Sequence, residues 1–264
     1  MIKSENKLSH KNGFTLVELS IVMIIIGLLI GGILKGQELI TNSKVARTIR
    51  DLKSFQAAIN TFQDSYKALP GDITSATTLV PGCNASTNCT DGNGNLKIGA
   101  IELDAWHYFQ NKSVTSENFQ FWKHLALADL IGDISPSSTA MEFGQTLPAG
   151  PFGGGYTVAD TSGAGMGFDD TSFAGRIIRI HDCPVACNEL EGPNATILSP
   201  TVAASIDRKM DDGSPLSGTV RASGAGAAAV GGSDVCTDKN GSTGTYNENS
   251  TASEACTLYL KIDN

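Results

Sequence analysis

The chain changes abruptly from polar to apolar at Phe14, and across residues 14–34 Glu18 is the only charged side chain. A helix rises about 1.5 Å per residue, so this run reaches about 30 Å, the thickness of a bilayer's hydrocarbon core. Beyond Lys35 the pattern becomes one-sided. Val45, Ile49, Leu52, Phe55, Ile59, Phe62 and Tyr66 recur at steps of three and four, while Arg47, Arg50, Asp51, Lys53, Gln63 and Asp64 supply the polar faces. The spacing predicts one helix that is apolar all round over 14–34 and amphipathic over 35–69. It should run to about Lys67 and stop at "ALPGD", where Pro70 and Gly71 break the periodicity.

Residues 70–264 read as a head of mixed elements. "ENFQFWKHLALADLIGD" predicts a helix with Phe119, Trp122, Leu125 and Leu130 toward the core and Gly132 as its stop; Trp106 and Phe109 suggest another short helix nearby. After residue 150, "GYTVAD", "RIIRI", "GTVRA" and "CTLYLKI" are short, β-rich and bounded by Gly, Pro or Asp clusters, so they predict strands. "TVAASIDRKMDDG" predicts a helix between them, and residues 222–255, rich in small polar residues, read as a long surface loop tied by Cys236 and Cys256. The fold class is α+β: a long N-terminal helix packed on a head with short helices and a small antiparallel sheet.

Charge orients the chain. Of the net −8, residues 1–13 contribute three lysines against one glutamate, a local +2. Positive flanks stay in the cytoplasm, so the basic leader is expected inside and the head outside. The acidic remainder argues against a nucleic-acid partner, which wants clustered Lys and Arg. All six cysteines follow residue 80, which suits an oxidising compartment. Short loops close at least entropic cost, favouring Cys83 with Cys89, Cys183 with Cys187 and Cys236 with Cys256 among the pairings open in principle. A metal site at His181, Cys183 and Cys187 is the competing reading; its spacing is not a common zinc spacing and a fourth ligand is missing.

A secretory signal would have a shorter apolar region followed by a small-residue cleavage site. Here the leader ends at Gly13, the apolar run starts at Phe14 and Glu18 follows four residues later. This "G-FTLVE" resembles the processing site of type IV pilins and of the related type II secretion pseudopilins. The resemblance implies that a prepilin peptidase cuts between Gly13 and Phe14 and methylates the new amine of Phe14. It further implies that the chain polymerises with itself and other pilin-like subunits through its N-terminal helix, served by pilus or secretion assembly machinery. The head, with "LPGD", "FWKHLALADLIG" and "IDRKMDDG", is similar to large pilin-like proteins, and the disulfide-bounded C-terminal region is similar to that of many type IV pilins. The pattern departs from the family at Lys35, where many members carry proline; Gly31, Gly32 and Gly36 are the residues that could loosen the helix instead.

Two readings of Glu18 compete. Thr15 and Glu18 fit a capping box, worth about 1 kcal/mol. A carboxylate inside the bilayer costs roughly 3 kcal/mol, more than a cap returns. In the resembled family the glutamate at this place neutralises the terminal amine of a neighbouring subunit, so a mismatched stagger would leave a buried charge unpaired.

Enzymatic chemistry is thin. His107, His124 and His181 stand outside the leader, with no G-x-S-x-G and no H-E-x-x-H; "GAGAAA" at 224–229 matches a dinucleotide loop loosely and lacks a following βαβ unit. "DGNGNLKIGAIE", residues 91–102, carries the strongest local signal. Asp91, Asn93 and Asn95 alternate as oxygen ligands, Lys97 offers a carbonyl and Glu102 stands at the twelfth place, as in a calcium loop, although Leu96 replaces the usual glycine. Paired Asp-Gly and Asn-Gly turns are the simpler reading. The sequence thus predicts a filament subunit that is not an enzyme, possessing at most a calcium site. The alternative is a single-pass membrane-anchored exoplasmic enzyme or solute-binding domain, which would retain residues 1–13.

Overall fold

The computed structural model describes residues 13–99, 113–161, 173–182, 196–224, 235–240 and 243–262. Trp106, Phe109, Glu102, Cys183 and Cys187 lie outside them, as do residues 1–12 of the leader. The chain forms two compact units, Met1–Ser43 and Lys44–Asn264.

Helix α1, Leu16–Tyr66, contributes to both. In the first unit its apolar side chains lie open, from Leu16 at 87 % exposed to Leu28 at 73 %. In the second, Val45, Thr48, Leu52, Phe55, Ala58, Ile59 and Phe62 are buried. The buried stripe keeps five of the seven predicted positions: Thr48 and Ala58 take inner places, and Ile49 and Tyr66 lie at its edge, partly buried. The Thr48 hydroxyl can enter because it donates to the Lys44 carbonyl at 3.1 Å. Phe55 anchors the stripe with edge contacts to Trp122 and Tyr156, each at 5.0 Å between ring centroids.

Helix α2, Ala76–Leu79, and a 3-10 turn, Ala85–Thr87, follow α1. Both are too short for a periodic signal. The Asn84 side chain holds the turn by accepting from the amides of Ser86 and Thr87, and a disulfide from Cys83 to Cys89 closes it.

Helix α3, Glu117–Leu127, is shorter than predicted. Its stop is Asp129, not Gly132. Asp129 adopts φ 58°, its amide donates to the Ala126 carbonyl and that of Leu130 to the Leu125 carbonyl. This is the Schellman arrangement with Asp in the place glycine usually takes, which its short polar side chain permits. Leu130 then packs on the core beside Leu125.

Strands β1 (Gly155–Thr161), β2 (Gly175–His181), β3 (Val220–Gly224) and β6 (Cys256–Lys261) form an antiparallel sheet in the order β1-β2-β6-β3. Register aligns Val158 with Ile178, Ile178 with Leu260 and Val220 with Leu260, so one apolar row joins the core that includes α1. Helix α4, Pro200–Met210, begins where Ser199 accepts from the Val202 amide and proline takes the first turn.

The stretch 222–255 is not all loop. Its described part includes a hairpin, β4 (Thr237–Asn240) with β5 (Thr243–Tyr246). Only Thr237 and Tyr246, paired at its open end, are buried ends of these strands among described side chains, so the sequence offers too little alternation to announce it. A disulfide from Cys236 to Cys256 joins the hairpin's start to β6.

Candidate functional site

Gly13 and Phe14 precede the first turn of α1 and are exposed, Phe14 at 87 %. A side chain at Gly13 would meet nothing within 4 Å, so glycine is not required there for space or for backbone conformation. Its need must lie with whatever reads this junction. At the helix start the Thr15 amide and hydroxyl both donate to Oε2 of Glu18, at 2.8 and 2.9 Å, and the Glu18 amide donates back to the Thr15 hydroxyl at 3.2 Å. The capping box therefore forms. It uses one oxygen of Glu18; Oε1 accepts no hydrogen bond among the described residues. At the other end of the apolar run Lys35 pairs with Glu38 at 2.6 Å, an exposed contact of little energetic weight.

In the described part of the loop, residues 91–99, the side-chain oxygens of Asp91, Asn93 and Asn95 accept hydrogen bonds. Asp91 accepts from the Thr77 amide at 2.8 Å and hydroxyl at 3.0 Å. Asn93 accepts from the Asn95 amide and Asn95 from the Lys97 amide, both at 2.9 Å, which are Asx turns. Asp72, 2 % exposed, receives the amides of Asn95 and Leu96. Gly92 is needed for closeness, since a Cβ there would sit 2.4 Å from the Asp72 backbone. A cation would have to share or displace these bonds, and Glu102 falls outside the described residues.

Sequence reasoning missed the clamp on α3 that holds this region. Gln120 accepts from the Thr90 amide at 3.0 Å and donates to the Asn88 carbonyl at 2.9 Å. Lys123 Nζ donates to the carbonyls of Thr87 and Asn88, and burial pulls its pKa down. The Gly71 amide donates to His124 Nδ1 at 2.9 Å, which leaves the proton on Nε2, 3.0 Å from the Thr90 carbonyl. Burial lowers the His124 pKa to about 4. The i, i+3, i+4 spacing of Gln120, Lys123 and His124 was visible, but nothing in it tells a buried polar face from a wet one.

Other ligand-type clusters among the described residues serve the fold. Cys83 and Cys89, which lie near His124, are bonded to each other. Near Asp211 and Asp212, Asp207 accepts from the Tyr246 hydroxyl at 2.8 Å and the Gly213 amide at 3.2 Å. His181 is buried with Nε2 2.7 Å from the Thr157 hydroxyl.

Comparison with known families finds a match to the prokaryotic N-terminal methylation motif over residues 8–34. Comparison with curated proteins and with solved structures finds none. The chain carries a prepilin-type motif of the type IV pilin and pseudopilin kind, and the apolar part of α1 is long and apolar enough to cross a membrane once.

Proposed function

We propose that the chain is a structural subunit of a type IV pilus or a type II secretion pseudopilus, as pilin, minor pilin or pseudopilin, and not an enzyme. It enters the bacterial inner membrane with residues 1–13 in the cytoplasm and the head outside. Prepilin peptidase hydrolyses the bond between Gly13 and Phe14, the amine of Phe14 is methylated, and the apolar helix leaves lipid to pack on other subunits. The match over residues 8–34, which spans that junction and continues into an apolar helix whose side chains are exposed among the described residues, carries the reading.

The geometry at Glu18 supports it. Thr15 engages Oε2, so a neighbouring copy's Phe14 amine can address Oε1 without dissolving the cap. Cap and intersubunit pair are then compatible, and the cost of a buried carboxylate falls on every stagger that leaves Oε1 unmatched.

Intact-mass measurement of membrane and filament material tests this. A mature chain starting at methylated Phe14 is expected, with Gly13→Glu left as precursor; a wild-type chain retaining Met1 would favour an anchored exoplasmic enzyme or binding domain. Glu18→Ala should insert and be processed yet fail to enter filaments. Normal incorporation would reduce Glu18 to a helix cap.

A further inference from the structure

Asn93 and Gly94 form an Asn-Gly pair at the surface of the head, both of them exposed. Such a pair carries a chemistry of its own. The amide nitrogen of the glycine attacks the side-chain carbonyl carbon of the asparagine, closing a succinimide ring and expelling ammonia; water then opens the ring to aspartate or isoaspartate. Glycine favours the attack because no Cβ shields its nitrogen and its backbone turns freely. Gly94 is also the residue the fold demands here. Its φ is 74°, a left-handed conformation, and a Cβ would sit 2.6 Å from Thr74 Cγ2. Packing therefore keeps a reactive pair in place.

The same packing withholds the attacking group. Before it can attack, the Gly94 nitrogen must lose its proton, and here it donates that proton to the Asp72 carbonyl at 3.0 Å. Asp72 is buried, so this acceptor belongs to the firm part of the head. The Asn93 side-chain oxygen is held by the Asn95 amide at 2.9 Å, and the Asn93 amide donates to Glu117 Oε1 at 3.2 Å. On one side the Gly92 amide donates to the Ile73 carbonyl at 2.8 Å; on the other the Asp72 carboxylate receives the amides of Asn95 and Leu96 at 3.0 and 2.7 Å. Ring closure has to rotate the Asn93 backbone, and the chain is fastened to residues 72 and 73 on both sides of it.

We propose that Asn93 is a deamidation site that the folded head keeps locked and loop opening releases, so that its conversion marks heads that have been open. The ammonia is lost, and the mark is not reversed by refolding. Neither product fits the closed loop. Aspartate adds an anion beside Glu117, whose carboxylate already feels repulsion from Asp72 and Asp160. Isoaspartate lengthens the main chain by a methylene group and shifts the amides that Asp72 and Glu117 receive. A converted head holds its loop less firmly, and each opening makes the next easier.

The test incubates the mature full-length chain, in detergent and mildly alkaline buffer, with and without guanidinium chloride, and follows the Asn93 peptide by mass spectrometry. Conversion is expected to be at least about a hundredfold slower without denaturant, as for a reaction that requires local opening. In the absence of denaturant, Asp72→Ala should speed it about tenfold by freeing the Asn95 and Leu96 amides. Should that variant fail to fold, hydrogen exchange of the unmutated chain reads the lock directly, the Gly94 amide being expected among the protected ones. Chain deamidated in denaturant and then refolded should melt lower than unmodified chain refolded alongside it. Equal conversion rates in the two buffers, no conversion in denaturant, an unprotected Gly94 amide, or identical melting of the two refolded chains would each overturn the proposal.

Discussion

Two stretches of one helix invite comparison. Residues 16–43 and 44–66 of α1 share backbone hydrogen bonding, yet the first buries no side chain among the described residues and the second buries seven. Helical propensity does not explain the difference in burial: the first stretch carries Gly27, Gly31, Gly32 and Gly36 and the second no glycine, yet both are helical. The distinction lies in where the partners are. The second stretch finds Trp122, Tyr156 and the sheet within its own chain, whereas an apolar surface such as that of the first is unsustainable in water and calls for lipid or other copies. A change in the second stretch should therefore register in folding, and one in the first in insertion and assembly.

The largest expected effect comes from Phe62→Ala. Phe62 is fully buried, so about 3–5 kcal/mol of head stability is lost, while cleavage after Gly13 continues; near-UV dichroism and intact mass read the two separately. If processing also fails, the two stretches are not independent.

Acid tests the same unit through His124. Its folded pKa is about 4 against an ordinary 6.5, because it is buried neutral. The stability it contributes is complete above about 6.5 and is lost as pH falls toward 4, a window corresponding to ~3 kcal/mol. Asp207 works oppositely: burial lifts its pKa to about 6 from 3.8, so its contribution is present below 3.8 and is lost as pH rises to 6. Burial also raises the pKa of Asp51 and Glu117, so the histidine arm is read as the difference between the pH 4–7 melting profiles of Asp207→Asn and of Asp207→Asn with His124→Gln; a flat difference would contradict the clamp.

Asp91→Ala should cost about 1 kcal/mol by stranding the Thr77 amide and hydroxyl, with or without calcium. Calcium at residues 91–102 is a separate proposal. It requires the unmutated chain to melt higher in millimolar calcium than in chelator and Asp91→Ala to abolish the difference; superimposed curves leave the loop with its turns alone. The smallest effect is expected from Ile26→Ala, which should shift head melting by less than about 0.5 kcal/mol while lowering incorporation into filaments.

Much of this division was legible in the sequence, because long periodic signals survive without context. The stripe from Val45 to Phe62 and the strand rich in Ile177, Ile178 and Ile180 were announced by spacing and β-branching. Elements that depend on distant partners were not. Asp129 ends α3 because its backbone bonds outweigh the cost of φ 58°, which composition does not reveal when Gly132 stands close by. The Thr237 hairpin is joined to β6 by a disulfide, and its Asp238, Lys239, Asn240 and Gly244 dilute the β signal of its threonines and Tyr246. At the N-terminus the motif marked Gly13, Phe14 and Glu18, but that both Thr15 donors engage a single Glu18 oxygen is visible only in the structure.

The sheet order has a temporal meaning. β6, the last of the strands to emerge during synthesis, lies between β2 and β3. Until residues 256–261 arrive, neither neighbour has its shared ladder and Cys236 lacks its disulfide partner. The membrane segment, by contrast, is among the first parts made. Chains interrupted before Cys256 would carry the apolar helix with an unfinished head, its strand edges exposed to mispairing and proteolysis. The central place of β6 thus makes completion of the sheet a report that synthesis has passed residue 261.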